Sequence, residues 1–159
     1  MVVAAGIALA ACGEETVNEN PFTSEGFGNA VEAIAEDAGE DTSLVQVQIK
    51  QGRALFKARE GDSVRVFVFP GDVFEPVGPE AVGETPGGEE FPLSDVDPEA
   101  VDRILEAIGE ENSPQGIEVP VMTLERRADG ELGWVIRAVG EGRRLVFEAD
   151  ADGSDLRLR

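Results

Sequence analysis

Thirty-three carboxylates and one thiol are the side chains of this 159-residue chain best suited to acid–base work, nucleophilic attack or metal ligation, because it has no histidine and no tyrosine. Without an imidazole, Ser-His-Asp and Cys-His catalysis are excluded, as is any histidine metal site. The chain has no GxxxxGK(S/T) loop and no GxGxxG after a strand. Two carboxylates can act as acid and base without help from histidine, but no spacing along the chain singles out a pair. The run Asp150-Ala151-Asp152-Gly153-Ser154-Asp155 sets oxygen ligands at alternate positions, as calcium loops do. It lacks the closing Glu of the EF-hand pattern, and a hairpin turn is the favoured reading. The expectation is a non-enzymatic protein with no cofactor and no metal.

The thiol carries a clearer message. Met1 to Ala11 is an uncharged, apolar stretch, too short for the roughly 20 residues that span a bilayer. It fits a signal-peptide core ending in small residues. Leu9-Ala10-Ala11-Cys12 resembles a lipobox, the cleavage and acylation signal of bacterial lipoproteins. The resemblance implies a signal peptide over residues 1–11, cleavage before Cys12 and a lipid on its sulfur. The mature protein would be exported and anchored to the outer face of a bacterial membrane. No Lys or Arg precedes Cys12, so the charged start of such signals is missing. Residues 12–21, from Cys12 to Pro21, read as a polar tether without periodicity. A single cysteine also excludes an intramolecular disulfide, so the core alone must hold the fold.

Composition narrows the partners. The 33 acidic residues face 13 basic ones, for a net charge of −20. Nucleic acid is excluded as a partner by repulsion from its phosphates, and so is lying flat on anionic lipid. Hydrophobic residues make up 42% of the chain, enough for a packed core.

The elements that must position any site follow from periodicity and turns. Phe27, Val31, Ile34 and Ala38 share one face of a helix that Ser24 caps and Gly39 ends. Leu44–Lys50, Ala54–Ala58 and Val64–Phe69 read as strands, divided by turns at Gln51-Gly52 and Glu60-Gly61-Asp62, and Val73-Phe74 starts a short fourth after Pro70-Gly71-Asp72. Val64–Phe69 is apolar on both faces and predicts cover on both. After a Gly- and Pro-rich linker, Asp97 and Pro98 start a second helix that Gly109 ends, with Val101, Ile104, Leu105 and Ile108 as its stripe. Strands 117–127, 132–139, 143–149 and 156–158 complete the chain. The same order in both parts predicts an α+β protein of two tandem repeats, each a helix packed on a small antiparallel sheet. The boundaries are 22–76 for the first repeat, 77–90 for the linker and 91–159 for the second.

The helix and sheet of residues 97–158, closing Phe147-Glu148-Ala149-Asp150-Ala151-Asp152-Gly153, resemble a PepSY-type module, and residues 24–74 do so more weakly. That resemblance implies a secreted or envelope binding module, in some members tied to peptidase inhibition, with no catalytic residues. Candidate surface residues are Trp134, Arg126, Arg127, Arg143 and Arg144, although a core anchor is the favoured reading of Trp134. The two arginine pairs could form one basic patch across adjacent strands, but pairing with Glu across strands is the favoured reading. The expected function is binding of a protein or peptide partner in the cell envelope through a free sheet face or edge, with membrane attachment by the lipid on Cys12. The alternative is a carrier of a lipid or small apolar ligand, held between the halves in a cavity that Val64–Phe69 would line.

Overall fold

A strand whose alternation buries one face still needs hydrogen-bonded neighbours on both edges, and this requirement decides the architecture. The computed structural model describes residues 18–70, 76–77, 89–112 and 116–159, with backbone alone at 76–77 and 111–112. Helix α1 (Ser24–Ala38) precedes strands β1 (Ser43–Lys50), β2 (Arg53–Glu60), β3 (Ser63–Phe69) and β4 (Pro76–Val77). A short β5 (Phe91–Pro92) and a single 3-10 turn (Leu93–Asp95) lead to α2 (Ala100–Asn112). Strands β6 (Glu118–Arg126), β7 (Leu132–Gly140), β8 (Arg143–Asp150) and β9 (Arg157–Leu158) follow.

All the strands belong to one antiparallel sheet, in the order β4-β3-β2-β1-β6-β7-β8-β9, with β5 beside β1. This corrects the expectation of two tandem helix-on-sheet repeats. Strands β1 and β6 pair in register through Val47↔Leu124, Gln48↔Thr123, Ile49↔Met122 and Lys50↔Val121. Two separate sheets would have left each of these strands as a bare edge beside half-covered Val47, Ile49, Met122 and Leu124. Pairing satisfies both ladders and merges two apolar faces into one. Phe27, Ala30 and Ile34 of α1 and Val101, Ile104 and Ile108 of α2 join that merged face in a single core cluster. The helices also meet each other: the Ser24 N–H donates to Asp102 Oδ1 at 3.1 Å.

Local chemistry sets the element ends. Thr23, one residue before the expected cap, is the cap of α1: its hydroxyl oxygen accepts from the Gly26 N–H at 3.1 Å. Thr23→Ala is expected to cost about 1 kcal/mol, read as a lower urea midpoint with an unchanged slope. The Asp97 carboxylate accepts from the Glu99 N–H at 2.9 Å ahead of α2. Gly109 does not end α2, which runs on to Asn112. Pro120 sits where β6 slips against β7, between Glu118 and Val121, a bulge being where a sheet tolerates a residue without an N–H. In β3, Phe67 lies in the core and Phe69 packs against it, so the doubly apolar strand does contribute to the shared interior. Val66 and Val68 lie half-buried on the opposite face.

Candidate functional site

Pairs directly opposite in an antiparallel sheet point to the same side, so the register assigns every residue to a face. With the helices on one face, the other carries Gln46, Gln48 and Lys50 of β1 and Arg53, Leu55, Lys57 and Arg59 of β2. Beside them lie Val121, Thr123 and Glu125 of β6, Val135 and Arg137 of β7, and Arg144, Val146, Glu148 and Asp150 of β8. This helix-free face is the candidate site.

Its cations are unusual in so acidic a chain. Ion pairs among the described residues engage Arg59, Arg65, Arg103, Arg127, Arg157 and Arg159. Lys50, Arg53, Lys57, Arg137 and Arg144 take part in none of these, and all of them lie on the helix-free face. Lys57 instead donates to Gln46 Oε1 at 2.7 Å, and Gln46 Nε2 donates to Glu125 Oε2 at 2.7 Å, a chain across β2, β1 and β6. The Lys57 ammonium is held below its ordinary pKa by burial and then by the neighbouring Lys50 charge, with Glu125 opposing. At the centre of the face Thr123 is buried, and its hydroxyl has no hydrogen-bond partner among the described residues.

The structure separates the candidate residues. Trp134 is wholly buried, edge-on to Phe27, and its indole N–H donates to the Ala151 carbonyl at 3.0 Å; it is a core anchor. Arg126 and Arg127 stand at the end of β6, Arg143 and Arg144 at the start of β8, roughly 25 Å apart along β7. They do not form one patch. Each pair also splits between the two faces, since neighbours on a strand point opposite ways. Arg126 donates to the backbone carbonyls of Glu90 and Gly130. Arg127 lies over Gly133, where a Cβ would sit 2.9 Å from its Cζ, and donates from Nη2 to Asp150 Oδ1 at 3.2 Å. Cys12 and the Leu9–Cys12 motif lie outside the described residues, as do Val73-Phe74, the signal peptide and most of the linker.

Arg126 and Arg127 line an open cleft of about 520 Å³, but Asp95, Glu131, Asp150 and Asp152 line it too, so acids outnumber cations there. A second cleft of about 260 Å³ lies between α1 and the 3-10 turn, lined by Val31, Ala35, Leu93 and Val96 among others. Neither is lined by β3, the strand on which an apolar carrier cavity was expected to depend. Asp152 lies in a turn, where its carboxylate accepts from the Ser154 hydroxyl at 2.6 Å and the Ser154 N–H at 2.9 Å. These bonds, the hydroxyl first, lower its pKa below the ordinary carboxylate value. Among the described residues no group of three or more His, Cys, Asp or Glu is placed to hold a metal ion. None of the described helices is long and apolar enough to cross a membrane.

Sequence reasoning missed Lys50, Arg53, Lys57 and Arg137. The signal was present, since Gln46-x-Gln48-x-Lys50 and Arg53-x-Leu55-x-Lys57-x-Arg59 alternate with the core positions. It needed the register across the Gln51-Gly52 turn to read as one surface.

No protein-family model matches the chain, and no curated protein matches it. Among solved structures it is similar to a candidate lipoprotein from Clostridium difficile 630, with a TM-score of 0.57 and 12% identity, over 84% of this chain and 91% of that one. At that identity the likeness shows a shared fold.

Proposed function

We propose that this chain is an exported bacterial lipoprotein, tethered through Cys12, whose folded part is a non-enzymatic module that binds a protein or peptide in the cell envelope. The observation that carries the binding role is the helix-free sheet face, where exposed and half-buried cations with no ion pair among the described residues stand beside half-buried valines. Exposed surface that combines apolar side chains with a polar surround marks interaction sites for other polypeptides. The tether reading is supported by Leu9-Ala10-Ala11-Cys12, by the polar stretch after it and by the lipoprotein description of the structural neighbour. A PepSY-like role, modulating a peptidase by binding it, is the narrower form of this reading.

The tether is tested by Cys12→Ser. In the native host this variant is expected to keep its fold and to move from the membrane to the soluble fraction. Radiolabelled palmitate should mark the parent protein and not the variant. Unchanged membrane association without label would sink the lipidation reading.

A further inference from the structure

We infer that the end of the helix-free face built by Lys50, Arg53, Arg137 and Arg144 is a docking site for an acidic, apolar-interspersed polypeptide segment. The inference rests on the binding-module reading and names the partner's chemistry.

The register lays out the site. Arg53 faces Lys50, Lys50 faces Val121, Val121 faces Arg137, and Arg137 faces Val146. These five residues form a row across five strands, about 19 Å long at strand spacing. Arg144 lies two residues along β8 from Val146, opposite Val139, which is 40% exposed. Glu118 of β6 faces Val139 and is the acid within this end of the sheet, and Glu141 stands in the adjoining turn. The order along the row is cation, cation, valine, cation, valine. An extended chain of about six residues covers that length.

Physical cost makes the arrangement informative. In a chain with 33 acids, four cations on β1, β2, β7 and β8 with no paired carboxylate among the described residues repel one another. Surface cations are ordinarily dispersed among acids at little cost. A row of cations interleaved with valines favours a ligand that brings carboxylates and apolar groups together. The same bookkeeping separates a peptide from an anionic bilayer. A bilayer is an extended plane that meets the net charge of −20, whereas a short segment meets only the row, within a screening length of about 8 Å.

The test uses the full chain, labelled with 15N, titrated with three probes: an eight-residue peptide of alternating Glu and Val, its Lys and Val counterpart, and phosphatidylglycerol vesicles. The acidic peptide is expected to shift the amide signals of Lys50, Arg53, Val121, Arg137 and Arg144. Its affinity should fall at least tenfold in a Lys50→Glu, Arg137→Glu double variant, and several-fold when salt rises from about 50 to about 300 mM. Arg143→Glu makes half that charge change, on the opposite face, and should weaken binding less than twofold. Equal binding by all variants overturns the site. Vesicle binding through these residues without peptide binding overturns the partner class. Shifts confined to this face with the Lys and Val peptide overturn the acidic chemistry but leave the binding-module reading standing. Absence of shifts with every probe overturns this inference, and absence of shifts on any part of the helix-free face counts against the broader reading too.

Discussion

Replacing Trp134 by alanine is expected to remove about 3–5 kcal/mol of folding stability. The residue is wholly buried between Leu124 and Ala149 of the neighbouring strands, so truncation leaves a cavity in the middle of the sheet's covered face. Its ring meets Phe27 edge-on at 5.9 Å, and Phe27 in turn stacks on Phe56 of β2 at 5.9 Å. Trp134 thus joins the β6–β8 side of the sheet, through α1, to the β1–β3 side. Its indole N–H also satisfies the Ala151 carbonyl, which the variant would leave without that donor. Against a total of about 5–15 kcal/mol for a domain, the loss is a large share. Urea unfolding should show a much lower midpoint with a single transition, because the two halves share one core. Trp134→Phe keeps most of the volume and loses the hydrogen bond, so a cost nearer 1–2 kcal/mol is expected. A change within about 0.5 kcal/mol for the alanine variant would mean that Trp134 is a surface residue after all.

The same residue shows what the sequence could and could not convey. Alternation placed Trp134 within a strand and its size favoured a core anchor, but a recognition role stayed open until its neighbours were known. Individual elements were legible to within a few residues because their ends carry strong local chemistry. Gln51-Gly52 and Glu141-Gly142, for example, both adopt positive φ at both positions, the geometry of tight hairpin turns. The joining of β1 to β6 was not legible. Period-two alternation says which face of a strand is buried and nothing about which strand lies beside it. Val47 and Ile49 suit a small private sheet as well as a seam with Leu124 and Met122. The candidate site failed for a related reason. Arg126-Arg127 and Arg143-Arg144 attract notice because they are adjacent in sequence, yet adjacency on a strand sends side chains to opposite faces. The cations that do share a surface come one or two at a time from β1, β2, β7 and β8.

Gly153→Ala is the second substitution expected to be severe, at about 2–5 kcal/mol, and a paired control isolates the reason. Gly153 adopts φ +83° in the turn between β8 and β9, where an alanine pays about 1–2 kcal/mol for the left-handed backbone. Its Cβ would also stand 2.8 Å from the Ala100 carbonyl oxygen and 2.9 Å from the Ala100 Cα, atoms of the first turn of α2. Backbone there cannot swing aside as a long side chain would. The turn is further tied to α2 by Arg103, whose guanidinium donates to the Asp152 carbonyl and pairs with Asp97 and Glu99. Relief of the clash therefore means lifting the turn from the helix and uncovering the core beneath. Gly142 has a similar φ of +73° in the β7–β8 turn, but nothing lies within 4 Å of the Cβ it would gain. Gly142→Ala is expected to cost only the backbone part, about 1–2 kcal/mol. Thermal unfolding of the two variants side by side measures the difference. A gap of 1 kcal/mol or more assigns the excess to the contact with α2, and equal losses would show that the turn rides free of the helix.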